Sequence, residues 1–193
     1  MKRKALAITL AAVMAMGTCA VTASAADGDK YTIGICQLVQ HDALDAATQG
    51  FKDEVIKELG EDAVTFDEQN AQGDSNTCST IVNSFVSNNV DLILANATPA
   101  LQAAAAGTSD IPILGTSVTE YGVALGLDDF DGTVGGNISG TADLAPLDEQ
   151  AAMLQELFPD AKNVGLLYCS AEANSQYQGD TVKAAVEELG YPG

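Results

Sequence analysis

Tryptophan is absent from the 193 residues, histidine occurs once, at position 41, and Lys and Arg together number eight against 27 Asp and Glu. So acidic a chain has no basic face for nucleic acid or anionic lipid, and neither is expected as a partner. Four cysteines are present but no C-x-x-C, which argues against a structural zinc site built on paired ligands. Cys36, Cys78 and Cys169 are widely spaced and odd in number, so they form no disulfide framework and read as small buried apolar residues. No internal repeat, low-complexity linker or apolar span beyond the N-terminus is visible.

The chain opens Met1-Lys2-Arg3-Lys4, continues through the apolar run 5–16 and reaches Ala23-Ser24-Ala25. A basic start, an apolar centre and a small-residue site make an export signal, so residues 1–25 are expected to be removed and the mature chain to begin near Ala26. The segment 16–19 also loosely fits a lipid-attachment motif, which would anchor the protein at Cys19; the Ala-x-Ala site accounts for the same segment without it. Three of the eight cations lie in this signal, and without them the formal charge moves from −19 to −22. The charge is expected to serve solubility outside the cell.

Short apolar runs then alternate with amphipathic stretches. Strands are expected at 31–36, 64–66, 90–95 and 111–115, and helices at 43–59, 75–87 and 98–106. Thr98-Pro99 suits a helix start, since threonine caps and proline fits the first turn. Strands and helices alternating at this spacing predict a parallel sheet with helices on both faces. Residues 121–145, rich in Gly and Asp, break the pattern and read as a crossover, with short strands at most at 124–125 and 136–138. A second α/β unit follows: helix 146–157, strand 163–168, helix 174–189. The expectation is a signal at 1–25, a first lobe at 26–145 and the start of an incomplete second lobe at 146–193. A lobe with a single strand is expected to be loosely docked, and the chain as it stands to bind a solute poorly.

Polar residues gather at the carboxyl ends of the expected strands: Gln37, Gln40 and His41, Asn70 and Gln72, Asn96 and Thr98, Thr116, Ser117 and Thr119, and across the crossover Ser170, Glu172, Asn174 and Ser175. Amides, hydroxyls and helix N–H groups in such a crevice suit a small polar ligand, a carboxylate in particular. Catalysis has fewer supports. Ser117 and His41 with Asp42 or Asp45 would make a hydrolase triad, but Gly115-Thr116-Ser117-Val118-Thr119 lacks the second glycine of G-x-S-x-G. His41 and Asp45 offer two metal ligands and no third. No phosphate-binding glycine motif occurs among Gly132, Gly135, Gly136 and Gly140.

The stretches "QLVQHDALDAATQGF", "NAQGD", "NATPALQAA", "GTSVTE", "GGNISGTAD" and "LLYCSAEANSQ" together resemble the ABC transporter substrate-binding family of the tryptophan/tyrosine type, from about Tyr31 to the C-terminus. The resemblance implies a type I periplasmic-binding fold, two α/β lobes closing on a solute, with no reaction catalysed and no cofactor. It places the cleft at Gln37, His41, Thr98, Pro99, Ser117, Val118, Thr119, Glu172, Asn174 and Ser175. It implies a partner as well, a membrane permease driven by a separate ATPase, and a location on the outer face of the cell membrane. Glu120 and Ala142 depart from the family pattern and leave the solute open, an amino acid or another carboxylate-bearing molecule. A cell-surface sensory or adhesive module and an extracytoplasmic hydrolase stand as the alternatives.

Overall fold

The computed structural model describes residues 30–191. The export signal, Cys19 and the expected mature start near Ala26 lie outside the described residues. Five parallel strands, β1 (Tyr31–Gln37), β2 (Val64–Asn70), β3 (Leu92–Asn96), β4 (Ile113–Val118) and β5 (Ile138–Ala142), form one sheet in the order β2-β1-β3-β4-β5. Among the described residues six α-helices accompany them: α1 (Asp42–Leu59), α2 (Ser75–Ser87), α3 (Thr98–Gly107), α4 (Tyr121–Leu125), α5 (Leu147–Leu157) and α6 (Ala173–Glu188).

Alternation along β1 sorts the core into two layers. Ile33 and Ile35 point toward α1 and pack with Leu94, Phe51 and Val55. Gly34 and Cys36 point the other way, where Cys36 joins Cys78, Val82, Phe85, Leu101 and Ala104 of α2 and α3. A side chain at Gly34 would collide with the Phe85 ring, so the bare backbone there lets α2 sit close on the sheet. The expected parallel sheet with helices on both faces is present.

The sheet has five strands rather than the four expected. The additional strand, β5, comes from the segment read as a crossover, and the expected strand at 124–125 is the end of helix α4. β5 is an edge strand whose residues Ser139 to Ala142 are exposed, which is why its sequence carries no apolar run. Tyr121 fastens it. Its ring is buried, its hydroxyl donates to the Thr141 carbonyl at 3.3 Å, and a Cβ on Gly115 or Gly140 would run into that hydroxyl. Burial first, and the neighbouring Asp143 carboxylate second, push the Tyr121 phenol up to about 12.

The second unit departs most from expectation. Residues 163–168, expected as a strand, form no strand, and no neighbouring strand lies beside them. Leu166, Leu167 and Tyr168 are exposed. Cys169, expected to be buried, is exposed for the same reason: an unpaired strand has no sheet face to bury it. The helices α5 and α6 still pack together around a small core of Ala151, Val186 and Tyr191.

Candidate functional site

The carboxyl ends of β1 to β4 meet the N-termini of α1 to α4, and three of these four helix starts are closed by their own side chains. His41 caps α1, its Nδ1 accepting from the Ala43 N–H at 3.2 Å. Asp74 caps α2, accepting from Asn76 and Thr77 at 2.7 and 3.0 Å. Glu120 caps α4, accepting from Gly122 and Val123 at 2.9 and 2.6 Å. A side-chain acceptor at these positions satisfies N–H groups that the helix itself leaves bare.

Helix α3 differs. Its cap residue is Ala97, held at φ 95, with no side chain to offer, and the residue sequence Thr98-Pro99 places the threonine inside the helix instead of before it. Thr98, Pro99, Ala100 and Leu101 are all buried, and the Thr98 hydroxyl makes no hydrogen bond. A buried helix start without partners calls for a polar group from elsewhere.

Backbone strain clusters at the same place. Among the non-glycine residues with positive φ are Gln72 (56°) beyond β2, Ala97 (95°) after β3 and Ser117 (54°) in β4. The register of β4 with β5 shifts between Gly115 and Val118, so Ser117 sits in an irregular turn of the strand. Ser117 is half-buried, and Val118 and Thr119 are buried.

Gln37 is not available to a ligand in this arrangement. Its Nε2 donates to the Val39 carbonyl at 2.9 Å and to Asp45 Oδ1 at 2.6 Å; its Oε1 accepts from Thr48 Oγ1 at 2.7 Å and from Asn96 Nδ2 at 3.5 Å. Asn96 also donates to the Leu44 carbonyl and to Thr48 Oγ1, at 2.8 and 2.9 Å. This network lashes the start of α1 to the ends of β1 and β3, so Gln37 supports the wall rather than lining it. Sequence reasoning collected Asn96 but missed its partner Thr48, because a lone threonine in an amphipathic helix carries no signal of its own.

Neither alternative chemistry is assembled. Asp45 turns inward to Gln37 while the His41 Nδ1 serves the helix, so the two are not presented together as metal ligands or with Ser117 as a triad. Among the described residues no group of three His, Cys, Asp or Glu could hold a metal ion. In the second unit, Glu172 precedes α6 without capping it, Ser175 Oγ accepts from the Cys169 N–H at 2.8 Å, and the buried Asn174 Oδ1 has no partner. A cavity of about 530 Å³ opens beside the strand ends, between Thr119, Tyr121, Phe130 and Ala142. Neither Thr98 nor Pro99 lines it. It runs under the loop joining α4 to β5, away from the buried start of α3, and the unpartnered groups rather than the cavity mark the candidate site.

Comparison with known proteins bears on this arrangement. The family described as ABC transporter substrate binding protein matches residues 32–191. A tyrosine-binding protein of Clostridioides difficile (strain R20291) is 41% identical over 165 residues, covering 82% of this chain and 46% of that protein. Among solved structures, an ABC domain in complex with L-Trp from Streptococcus pneumonia superposes with a TM-score of 0.78 at 34% identity, over 84% of this chain and 55% of that one. A ligand-free, open substrate binding protein with adhesive properties from Clostridium difficile gives a TM-score of 0.64 at 40% identity, over 83% and 55%. A leucine binding protein of Thermotoga maritima, at 15% identity and a TM-score of 0.63, shares the fold. The chain thus spans about half the length of the relatives it matches, and those relatives are binding proteins. With the six sequence blocks, the five-stranded lobe and a match from residue 32 to 191, the chain belongs to the ABC transporter substrate binding protein family.

Proposed function

We propose that this chain supplies the first lobe, residues 26–145, and the beginning of the second lobe, from residue 146, of an exported receptor that binds an amino acid between the lobes. The receptor then delivers it to a membrane permease. The observation that carries this reading is the buried, uncapped start of α3 with the unpartnered Thr98 hydroxyl. A carboxylate meets both needs: it accepts from the helix N–H groups, favoured by the helix dipole, and from Thr98 after a turn about its Cα–Cβ bond. His41, Pro99, Ser117, Val118, Thr119, Glu172 and Ser175 form the remaining walls in this reading. The family is extracytoplasmic, and no helix among the described residues is long and apolar enough to cross a membrane. Export by the N-terminal signal, with Cys19 removed or lipid-modified, belongs to the same proposal.

The test is calorimetric titration of the full-length protein with L-tyrosine, L-tryptophan and L-leucine, each beside its carboxamide. Binding of at least one amino acid, lost in the amide, is expected. Equal binding of acid and amide would remove the carboxylate from α3. A second reading, adhesion at the cell surface, is favoured by the adhesive properties of the relative from Clostridium difficile. Attachment of the purified protein to epithelial cells, undiminished by saturating amino acid, would support it.

A further inference from the structure

Tyr121 is the first residue of α4, set there by the Glu120 cap, and it is only 5% exposed. Its side chain reaches the place where β4 and β5 lose register. Gly115 pairs with Gly140 and Val118 with Ala142, so Thr116 and Ser117 of β4 face Thr141 alone. Two residues against one make a β-bulge, which disrupts the ladder beside it. There the Tyr121 hydroxyl donates to the Thr141 carbonyl at 3.3 Å, in the space that Gly115 and Gly140 leave by having no side chain.

We propose that Tyr121 is a positioning residue for the solute site: without touching the solute, its hydroxyl holds the bulge that sets both the start of α3 and the crossing to the second unit. The inference rests on the reading of α3 as the seat of the solute carboxylate. Two backbone hydrogen bonds carry the effect. The Thr116 carbonyl, inside the bulge, accepts from the N–H of Ala97, the residue before α3, at 3.0 Å. The Val118 carbonyl, at the end of the bulge, accepts from the Asp143 N–H at 3.0 Å, where β5 stops and the chain runs on to α5.

The edge strand has little packing of its own to keep Thr141 in place, since Ser139 to Ala142 are exposed. On either side of the link the backbone is strained: Ser117 stands at φ 54 and Ala97 at φ 95. Such conformations persist only while their surroundings over-determine them. Removing the hydroxyl therefore frees the bulge, and Thr116 and Ala97 shift together. The N–H groups at the start of α3 then lose their aim, and a hydrogen bond to a carboxylate weakens as its angle departs from linearity. A phenylalanine ring still fills the buried space, so the fold itself survives the change.

The experiment compares the wild type with Tyr121→Phe in the full-length protein. Amide hydrogen exchange without solute, resolved by NMR, should rise about 10-fold or more at Ala97 and Asp143 relative to Ile93, whose N–H bonds the Pro112 carbonyl in the middle of the sheet. Affinity for whichever of L-tyrosine, L-tryptophan and L-leucine the wild type binds should fall roughly 5-fold or more. A hydroxyl that only stabilises the fold would speed exchange equally at all three amides and leave affinity unchanged; either result overturns the proposal. So does unaltered exchange at Ala97 and Asp143. If the wild type binds none of the three amino acids, the solute reading of α3 fails instead, and exchange at Ala97 and Asp143 still decides whether Tyr121 holds the bulge.

Discussion

Asn96, at the end of β3, donates its side-chain amide to Thr48 Oγ1 on α1 across 2.9 Å of buried interior. Both residues also reach Gln37, so three elements share one polar knot. Replacing Asn96 by Ala removes the hydrogen bonds it donates to the Leu44 carbonyl and Thr48 Oγ1 and leaves the rest of the knot incompletely paired. A loss of about 2 kcal/mol in urea unfolding is expected, since unmade buried hydrogen bonds cost about 1–3 kcal/mol. A loss below about 0.5 kcal/mol would place the hold between α1 and the sheet in the apolar layer alone.

His41 caps α1 while standing exposed at the strand ends. These two roles separate in a pair of variants. His41→Ala should lose the cap, lowering stability by about 1 kcal/mol, and His41→Asn should keep it. If His41 also touches solute, both variants bind more weakly. An affinity that follows stability, reduced in the alanine variant and intact in the asparagine one, would confine His41 to its cap.

The Thr98 hydroxyl, buried and without a partner, lowers stability in the unliganded protein. Thr98→Val removes that hydroxyl at nearly constant shape. Unfolding stability should hold or rise slightly while amino acid affinity falls roughly 5- to 10-fold, the worth of about 1 kcal/mol. Thermal melting with and without solute reads both quantities. An unchanged solute-induced shift would take Thr98 out of the site.

Tyr121 gives a pH dependence with a definite sign. Unfolded, its phenol ionises near 10.0; folded, only near about 12. Between these values the unfolded state holds fewer protons, so stability is full below pH 10 and falls as pH rises toward 12, by about 1 kcal/mol at pH 11. In Tyr121→Phe this component of the alkaline slope should vanish. A wild-type slope identical to that of the variant across pH 9 to 11.5 would mean that the phenol ionises without leaving its place beside Gly115 and Gly140.

How much of this was legible in the sequence depends on how each strand is buried. β1, β3 and β4 lie inside the sheet and announce themselves as apolar runs, although β4 begins two residues late and runs into the polar Thr116 and Ser117. The edge strands are another matter. β2 extends beyond Phe66 through Asp67, Glu68 and Gln69, which an edge tolerates and an alternation search does not see. β5 reads as a loop because only Ile138 is drawn inward. Conversely Val164 to Tyr168 has the composition of a strand but no neighbour, and composition cannot supply a partner. At the site, Thr98-Pro99 was readable from helix-start chemistry. That α3 alone among the first four helices lacks a side-chain cap was not, because the distinction rests on which oxygens turn back to the backbone. The bonding of Gln37 was hidden for a related reason: position at a strand end does not say whether a side chain faces the crevice or the interior.

The left-handed backbone at Gln72, Ala97 and Ser117 sets a filter on sequence variation. Each sits where a strand hands over to a loop or helix, and a β-branched residue in that conformation crowds its own carbonyl. In a saturation map of the chain, Val, Ile and Thr should be depleted at all three positions, whatever the solute in the medium and even under selection for folding alone. Glycine and asparagine should survive there. The rim of the crevice would thus stay narrow in its alphabet for steric reasons, and tolerance to substitution at these three points would report backbone shape before it reported ligand preference.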